Sequence, residues 1–160
     1  MTSLAAQSIA ELGGHGSVLS RQKRDHVLLD ALLSELGDAP PARQRRVLLR
    51  VHRLVFPHAF AEEAVLWPVI RRALPDGETL TLRVEREHQV INELATQLDR
   101  ADLGAPDRAT LLDRFVALLR QDVRDEEDVL LPRLQARLTV VELRRLGAAW
   151  EVVRRLAPGA

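Results

Sequence analysis

Six ionisable side chains fall on helical stripes that are otherwise apolar: His26, His58, Glu62, His88, Asp122 and Glu126. Successive residues of an α-helix turn by about 100°, so positions four apart lie about 40° apart around the axis. His58 and Glu62 therefore share a face, as do Asp122 and Glu126. His26 lies on a stripe with Val18 or Leu19, Gln22, Leu29, Leu33 and Leu36, and His88 on one with Val84, Ile91, Ala95 and Leu98. The stripe of His58 and Glu62 continues through Val51, Leu54 or Val55, Val65 or Leu66, and Val69. That of Asp122 and Glu126 continues through Leu111, Phe115, Leu118, and Val129 or Leu130. An unpaired buried ion costs several kcal/mol, and three carboxylates with three neutral imidazoles cannot neutralise one another. A cation must be supplied. Nitrogen and oxygen donors without sulfur suit iron or manganese and, less well, zinc. Two carboxylates able to bridge, one from each helix pair, suit a pair of metals. The chain contains no cysteine, which excludes disulfides, thiolate catalysis, iron–sulfur clusters and zinc ribbons. It contains no tyrosine, so a tyrosyl radical takes no part.

Positioning these groups requires long helices, and the sequence predicts them. Ala, Leu, Arg and Glu dominate, as helices prefer, and hairpin signals are nearly absent. Breaks fall at Gly13-Gly14-His15-Gly16, Gly37-Asp38-Ala39-Pro40-Pro41, Pro75-Asp76-Gly77 and Gly104-Ala105-Pro106. Between them lie helical patterns over about Val18–Leu36, Ala42–Ala73, Thr79–Ala101 and Arg108–Ala136, after a short N-terminal helix. Pro57 is expected to kink the second. A fifth helix starts at Thr139, which forms a capping box with Glu142; it is expected to pack Trp150, Val152 and Val153 against one end. Short breaks between long helices predict an all-α, up-down-up-down four-helix bundle with a short N-terminal segment and an extra C-terminal helix. The 160 residues are expected to form one domain, residues 1–160, with its core at about 17–137 and the C-terminal helix at about 139–156.

The chain also repeats itself. Arg24-Asp25-His26 is echoed by Arg86-Glu87-His88, and His58 to Pro68 by Asp122 to Pro132, so two helix pairs share one polar pattern. Ferritin-like di-iron bundles also place Glu and His side chains inward. His26, His58-x-x-x-Glu62 followed by Leu66-Trp67-Pro68, His88, and Glu126-Glu127 followed by Leu130-Leu131-Pro132 resemble the hemerythrin-like, HHE cation-binding family over about Gln22 to Pro132. The resemblance implies that His26, His58 and His88 are terminal iron ligands and that Glu62 and Glu126 bridge two irons per chain, joined by an oxo or hydroxo group. Zinc or manganese are the possible substitutes. The sequence departs from the family twice. Asp122 stands where the family has a histidine, and Val84 where the oxygen carriers have a second histidine on that helix. Both departures argue against reversible oxygen carriage.

The remaining polar residues have plainer readings. Glu63 and Glu127 are rotated about 100° from the bridging carboxylates and read as supporting or surface groups. His52 reads as a surface or inter-helix residue, His15 as a solvated loop histidine, and Glu85 as a substitute donor at most. Trp67 and Trp150 read as packing residues. The competing account of the six groups is a network of ion pairs with Arg24 or Arg86 reaching inward. Those arginines lie about 160° from the site stripe.

Lys plus Arg and Asp plus Glu both total 23, so no basic face signals nucleic-acid binding. No apolar run reaches about 18 residues, and Met1 to Ala10 lacks the basic start and apolar stretch of a secretory signal. A cytoplasmic protein is expected, with a small ligand such as oxygen, peroxide or nitric oxide and no nucleic-acid or membrane partner. The functional expectation is a non-haem di-iron protein that reacts with such a ligand. The alternatives are a module that senses or stores oxygen or iron without turnover, and a structural bundle with an empty or adventitious zinc site.

Overall fold

The computed structural model describes residues 1–158; the last two positions of the expected domain, 159 and 160, lie outside the described residues. Helices account for all the regular structure, and no strand occurs among the described residues. α1 (Val18–Asp38) and α2 (Pro41–Ala61) form one packed pair, and α4 (Gly77–Arg100) and α5 (Arg108–Asp125) the other. α2 continues through a π-helical segment, Glu62–Leu66, into α3 (Trp67–Ala73). α5 continues likewise through Glu126–Leu130 into α6 (Leu131–Gln135). α7 (Val140–Leu156) closes the chain. Pro57 lies inside α2 without ending it.

Local chemistry sets the boundaries. The Ser17 side chain accepts from the Leu19 N–H at the start of α1. Pro41 opens α2 at a position where a missing N–H costs nothing. The predicted capping box is present: Thr139 Oγ1 accepts from the Glu142 N–H, and Glu142 accepts from the Thr139 N–H. The expected N-terminal helix is only a 3-10 turn, Leu4–Ala6. Gly13 and Gly14 follow with φ of 94° and 89°, the left-handed region open to glycine. Leu4 and Leu12 are nevertheless fully buried, so the segment is packed rather than helical.

The ionisable residues divide the core into two apolar clusters. Leu33, Leu36, Val51, Ile91, Leu98 and Phe115 belong to one, and Leu19, Leu66, Trp67, Ile70, Leu131 and Trp150 to the other. The predicted stripes of α1 and α4 hold throughout. On α5 the buried leucines are Leu112 and Leu119 rather than Leu111 and Leu118. The stripes of α2 and α5 slip by one residue beyond each π segment. Ile70 is buried where Val69 was expected, and Leu130 and Leu131 turn inward while Val129 is exposed. A π turn holds one more residue than an α turn, which a constant 3.6-residue period cannot follow.

α7 does not cap one end as expected. It lies along α1, α2 and the first π segment, with Trp150 buried, Val153 partly buried and Val152 exposed. Close approach is possible because residue 147 is glycine: an added Cβ would collide with the Gly16 carbonyl oxygen and meet the Val18 nitrogen at 2.9 Å. Gly147→Ala is therefore expected to destabilise the protein by about 1–3 kcal/mol, as overpacking does. The measurement is a urea melt, which should show a lower midpoint at unchanged slope. An unchanged midpoint would mean that α7 can shift outward without loss.

Candidate metal centre

His26 comes from α1, His58 from α2, His88 from α4 and Asp122 from α5; Glu62 and Glu126 open the two π segments. Amphipathic stripes turn all six inward, and five are buried; Asp122 is half-buried. Potential donor atoms of His26, His58, Glu62 and Glu126 lie within 4.8 Å of one another, as do those of His88, Asp122 and Glu126. Glu126 belongs to both groups. His26 Nε2 lies 3.2 Å from Glu126 Oε2, and His58 Nε2 lies 3.2 Å from Glu62 Oε1. His88 Nε2 is 3.8 Å from Glu62 Oε2 and 3.6 Å from Asp122 Oδ2. Glu62 thus approaches histidines of both groups.

Each imidazole is anchored through its other nitrogen. His26 Nδ1 lies 2.9 Å from Glu127 Oε1, His88 Nδ1 2.9 Å from Glu63 Oε1, and His58 Nδ1 3.2 Å from Asp25 Oδ2. A carboxylate that accepts from Nδ1–H fixes the tautomer and leaves the Nε2 lone pair for a cation. Glu63 and Glu127, read from sequence as supporting or surface groups, take the supporting position. Asp25 was missed. It sits one residue from His26, about 100° off the stripe, and supports a histidine on another helix. The one signal for it was its place in the repeat, where its counterpart is Glu87.

That repeat exposes an asymmetry. Asp25 supports His58, whereas Glu87 faces Asp122, the counterpart of His58. Burial first, and then the Asp122 charge, hold the Glu87 carboxyl above the usual range. Glu87 Oε2 has no hydrogen-bond partner. The second pair of helices thus keeps a supporting carboxylate with no imidazole to support.

Several buried donor atoms at the centre also lack a hydrogen-bond partner: His26 Nε2, His58 Nε2, Glu62 Oε1, Asp122 Oδ1 and Glu126 Oε1. Orphaned atoms of both donor types, nitrogen and oxygen, converge on one space, which is what a cation would satisfy. Without a cation, protons occupy the site. Burial opposes charging the histidines, but the neighbouring carboxylates outweigh it. His26 is raised to about 9 by Glu126 and Glu127, His58 to about 10 by Glu62 and Asp25, and His88 to about 11 by Asp122 and Glu63. Burial, Glu62 and Asp122 raise Glu126 to about 8, while Glu62 is lowered because His58 and His88 outweigh its burial. Glu126 thus keeps its proton near neutral pH. A network of ion pairs is therefore available to the metal-free protein, but through protonated imidazoles rather than inward arginines. Arg24 turns to Asp25, and Arg86 is exposed.

Other sequence candidates stand apart. Glu85 pairs with Arg71 at 2.6 Å, and His15 is exposed. His52 packs its ring edge-on to Phe115 between helices. Trp67 stacks near His88 and Trp150 meets His58 edge-on, with ring centroids 6.3 and 5.4 Å apart. Gln22, one turn before His26, is fully buried with neither amide atom hydrogen-bonded. A cavity of about 30 Å³ lies at the centre itself, lined by all six donor residues together with apolar Leu29, Leu54, Ile91 and Leu119.

The family model described as Hemerythrin HHE cation binding domain matches residues 17–134. Among solved structures, the chain is similar to a hemerythrin HHE cation binding domain-containing protein from Mycobacterium kansasii. The two share 20% identity at a TM-score of 0.74, over 88% of each chain. No curated protein matches.

Proposed function

Because the chain belongs to the hemerythrin HHE cation-binding domain family, we propose that it is a di-iron protein whose centre reacts with oxygen, peroxide or nitric oxide. The observation that carries this is the sharing of Glu126 between two groups of convergent donor atoms. His26, His58, Glu62 and Glu126 would hold one iron. His88, Asp122 and Glu126 would hold the other, with Glu62 reaching towards both. Nitrogen and oxygen donors without thiolate favour iron or manganese over soft metals. The helix contacts support an up-down-up-down four-helix bundle around the site. No described helix is long and apolar enough to cross a membrane, and a cytoplasmic setting fits the absence of cysteine.

When bound, the irons supply Lewis acidity and electrons to a small ligand. The chain's residues do the rest. Glu127, Asp25 and Glu63 orient the three imidazoles through Nδ1. Apolar Leu29, Leu54, Ile91 and Leu119 share the lining of the same space and would restrict water beside the metals. Asp122 adds negative charge, which favours ferric over ferrous iron. The ferrous protein is therefore expected to oxidise in air, with slow peroxide breakdown.

Elemental analysis should find two irons per chain, and X-ray absorption should place them roughly 3.5–4 Å apart, as in other two-metal sites. Glu126→Gln should lose at least one equivalent with little harm to the metal-free fold, since it replaces a carboxyl that already keeps its proton near neutral pH. A single iron at full occupancy would contradict the reading, as would two irons undisturbed by Glu126→Gln. Ferrous protein that is fully recovered after exposure to oxygen and its removal, without peroxide consumption, would replace reaction with sensing or carriage.

A further inference from the structure

The family match ends at residue 134, yet the helix beyond it reaches into the support of the centre. Asp25 is almost wholly buried at 1% exposure and accepts from three directions. Arg24 donates to Oδ1 at 3.1 Å; Arg154 of α7 donates through Nε to Oδ2 at 3.1 Å; and His58 Nδ1 meets the same Oδ2 at 3.2 Å. The Arg154 guanidinium lies over the Trp150 ring, 5.6 Å from its centroid, and the Trp150 ring stands edge-on to His58. One α7 face thus touches His58 directly through an indole and indirectly through a carboxylate. The other two histidines have no such connection. Among the described residues, Glu127 and Glu63 form no ion pair with any arginine or lysine.

We propose that Arg154 is a positioning residue for the His58 imidazole, acting through the carboxylate of Asp25. A metal-bound imidazole is neutral, so His58 then offers Asp25 no full positive charge, and a carboxylate this deeply buried needs one nearby. Arg24 supplies one at Oδ1, and Arg154 supplies one at Oδ2, the oxygen that faces His58, keeping that oxygen in place to accept from Nδ1–H. The result is one firmly held donor set, containing His58, and one without support from α7, containing His88 and Asp122. α7 is in this way part of the centre's construction, and its seating on α1 is tied to the geometry of one metal position.

The inference rests on the two-metal reading but is tested separately from it. Arg154→Gln, Arg154→Lys, Asp25→Asn and Arg21→Gln would be titrated with Fe(II) against a competing chelator, and 15N-histidine spectra recorded on the Zn(II)-loaded proteins. Arg21→Gln is the control, because Arg21 joins α1 to Glu151 of α7 at 2.6 Å without touching Asp25. Arg154→Gln is expected to weaken one metal equivalent about tenfold, the lower end of the range for outer partners of a ligand, and to leave the other nearly unchanged. The His58 Nδ1–H signal should move and exchange faster while those of His26 and His88 stay. Arg154→Lys should restore most of the loss, Asp25→Asn should reproduce it, and Arg21→Gln should show none. Wild-type behaviour of Arg154→Gln would overturn the proposal, and so would equal weakening of both equivalents shared by Arg21→Gln. If Arg154→Gln does not fold, an unaltered His58 signal in Asp25→Asn, or Arg154→Lys binding metal no better than Asp25→Asn, would overturn it instead. A wild-type protein that binds only one metal would count against the di-iron reading, while the His58 signal would still decide the role of Arg154.

Discussion

Removing the metals is expected to lower the melting temperature by about 8–16 °C near neutral pH, and the gap should widen between pH 6 and pH 9. Free metal at 1,000 times its dissociation constant stabilises the native state by about 4.1 kcal/mol, and each kcal/mol is worth roughly 2–4 °C at this chain length. The pH trend follows from the protons held without metal. His26, His58 and His88 titrate at about 9, 10 and 11 in the folded protein, against about 6.5 unfolded. Groups raised on folding add stability that is complete below the unfolded value and is lost as pH rises through the folded one. Glu126, raised to about 8, acts in the same sense. The metal-free protein therefore weakens from pH 6 to pH 9. Asp25 and Glu62 are lowered on folding, so their contribution is lost only on acidification, outside this window. Metal uptake must expel the same protons, so metal binding strengthens over the range in which the metal-free form weakens. Calorimetry of iron-loaded and chelator-treated protein at three pH values checks this. A gap that stays constant or narrows with pH would show that protons and metal do not compete for these groups.

The second large effect is expected from Asp122→His. The substitution replaces an anionic oxygen donor by a neutral nitrogen donor, and the partner for the new ring is already in place. In the sequence repeat Glu87 is the counterpart of Asp25 as residue 122 is of His58, its charge interacts with that of Asp122, and its Oε2 is unpartnered. The change should thus relieve the repulsion between Asp122 and Glu87 and reduce the preference for ferric iron. The potential should rise by about 60 mV or more, at least tenfold in the one-electron equilibrium, and air oxidation of the ferrous protein should slow. Spectroelectrochemical titration of the variant beside the wild type gives the answer. An unchanged or lower potential, with both irons still bound, would mean that Asp122 does not donate to them.

The six candidate residues were legible because a charged side chain on an apolar helical stripe is anomalous, and six such anomalies in a repeated pattern leave little choice about where they meet. The helices of α1 and α4 were legible for the same periodic reason. What escaped was whatever depends on contact between elements. Asp25 lies off the stripe that makes His26 visible, and its importance comes from His58 and Arg154, which are 33 and 129 positions away. The site of α7 escaped because an amphipathic helix shows only that it has an inner face, not which neighbour covers it. Gly147 was the clue, and its meaning depends on the Gly16 carbonyl lying opposite. The slip from Val69 to Ile70 escaped because nothing in a hydrophobic count signals a wider turn.

Those wide turns have a bearing on transplanting such a centre into another scaffold. In each, the residue after the segment, Trp67 or Leu131, donates its N–H to the carbonyl of the glutamate that opens it, Glu62 or Glu126. The prolines Pro68 and Pro132 then fall in the first turn of the following helix, where they are tolerated. The sequence block from the glutamate to the proline is therefore a phase shifter. It lets the carboxylate face the site while the helix beyond resumes with a different residue facing the core. Copying only the His58-x-x-x-Glu62 spacing onto a straight ideal helix would reproduce the donors and rotate every downstream side chain by one position, about 100°. The smallest portable unit in each half is the whole stretch, His58 to Pro68 or Asp122 to Pro132, with a downstream apolar pattern written one residue late.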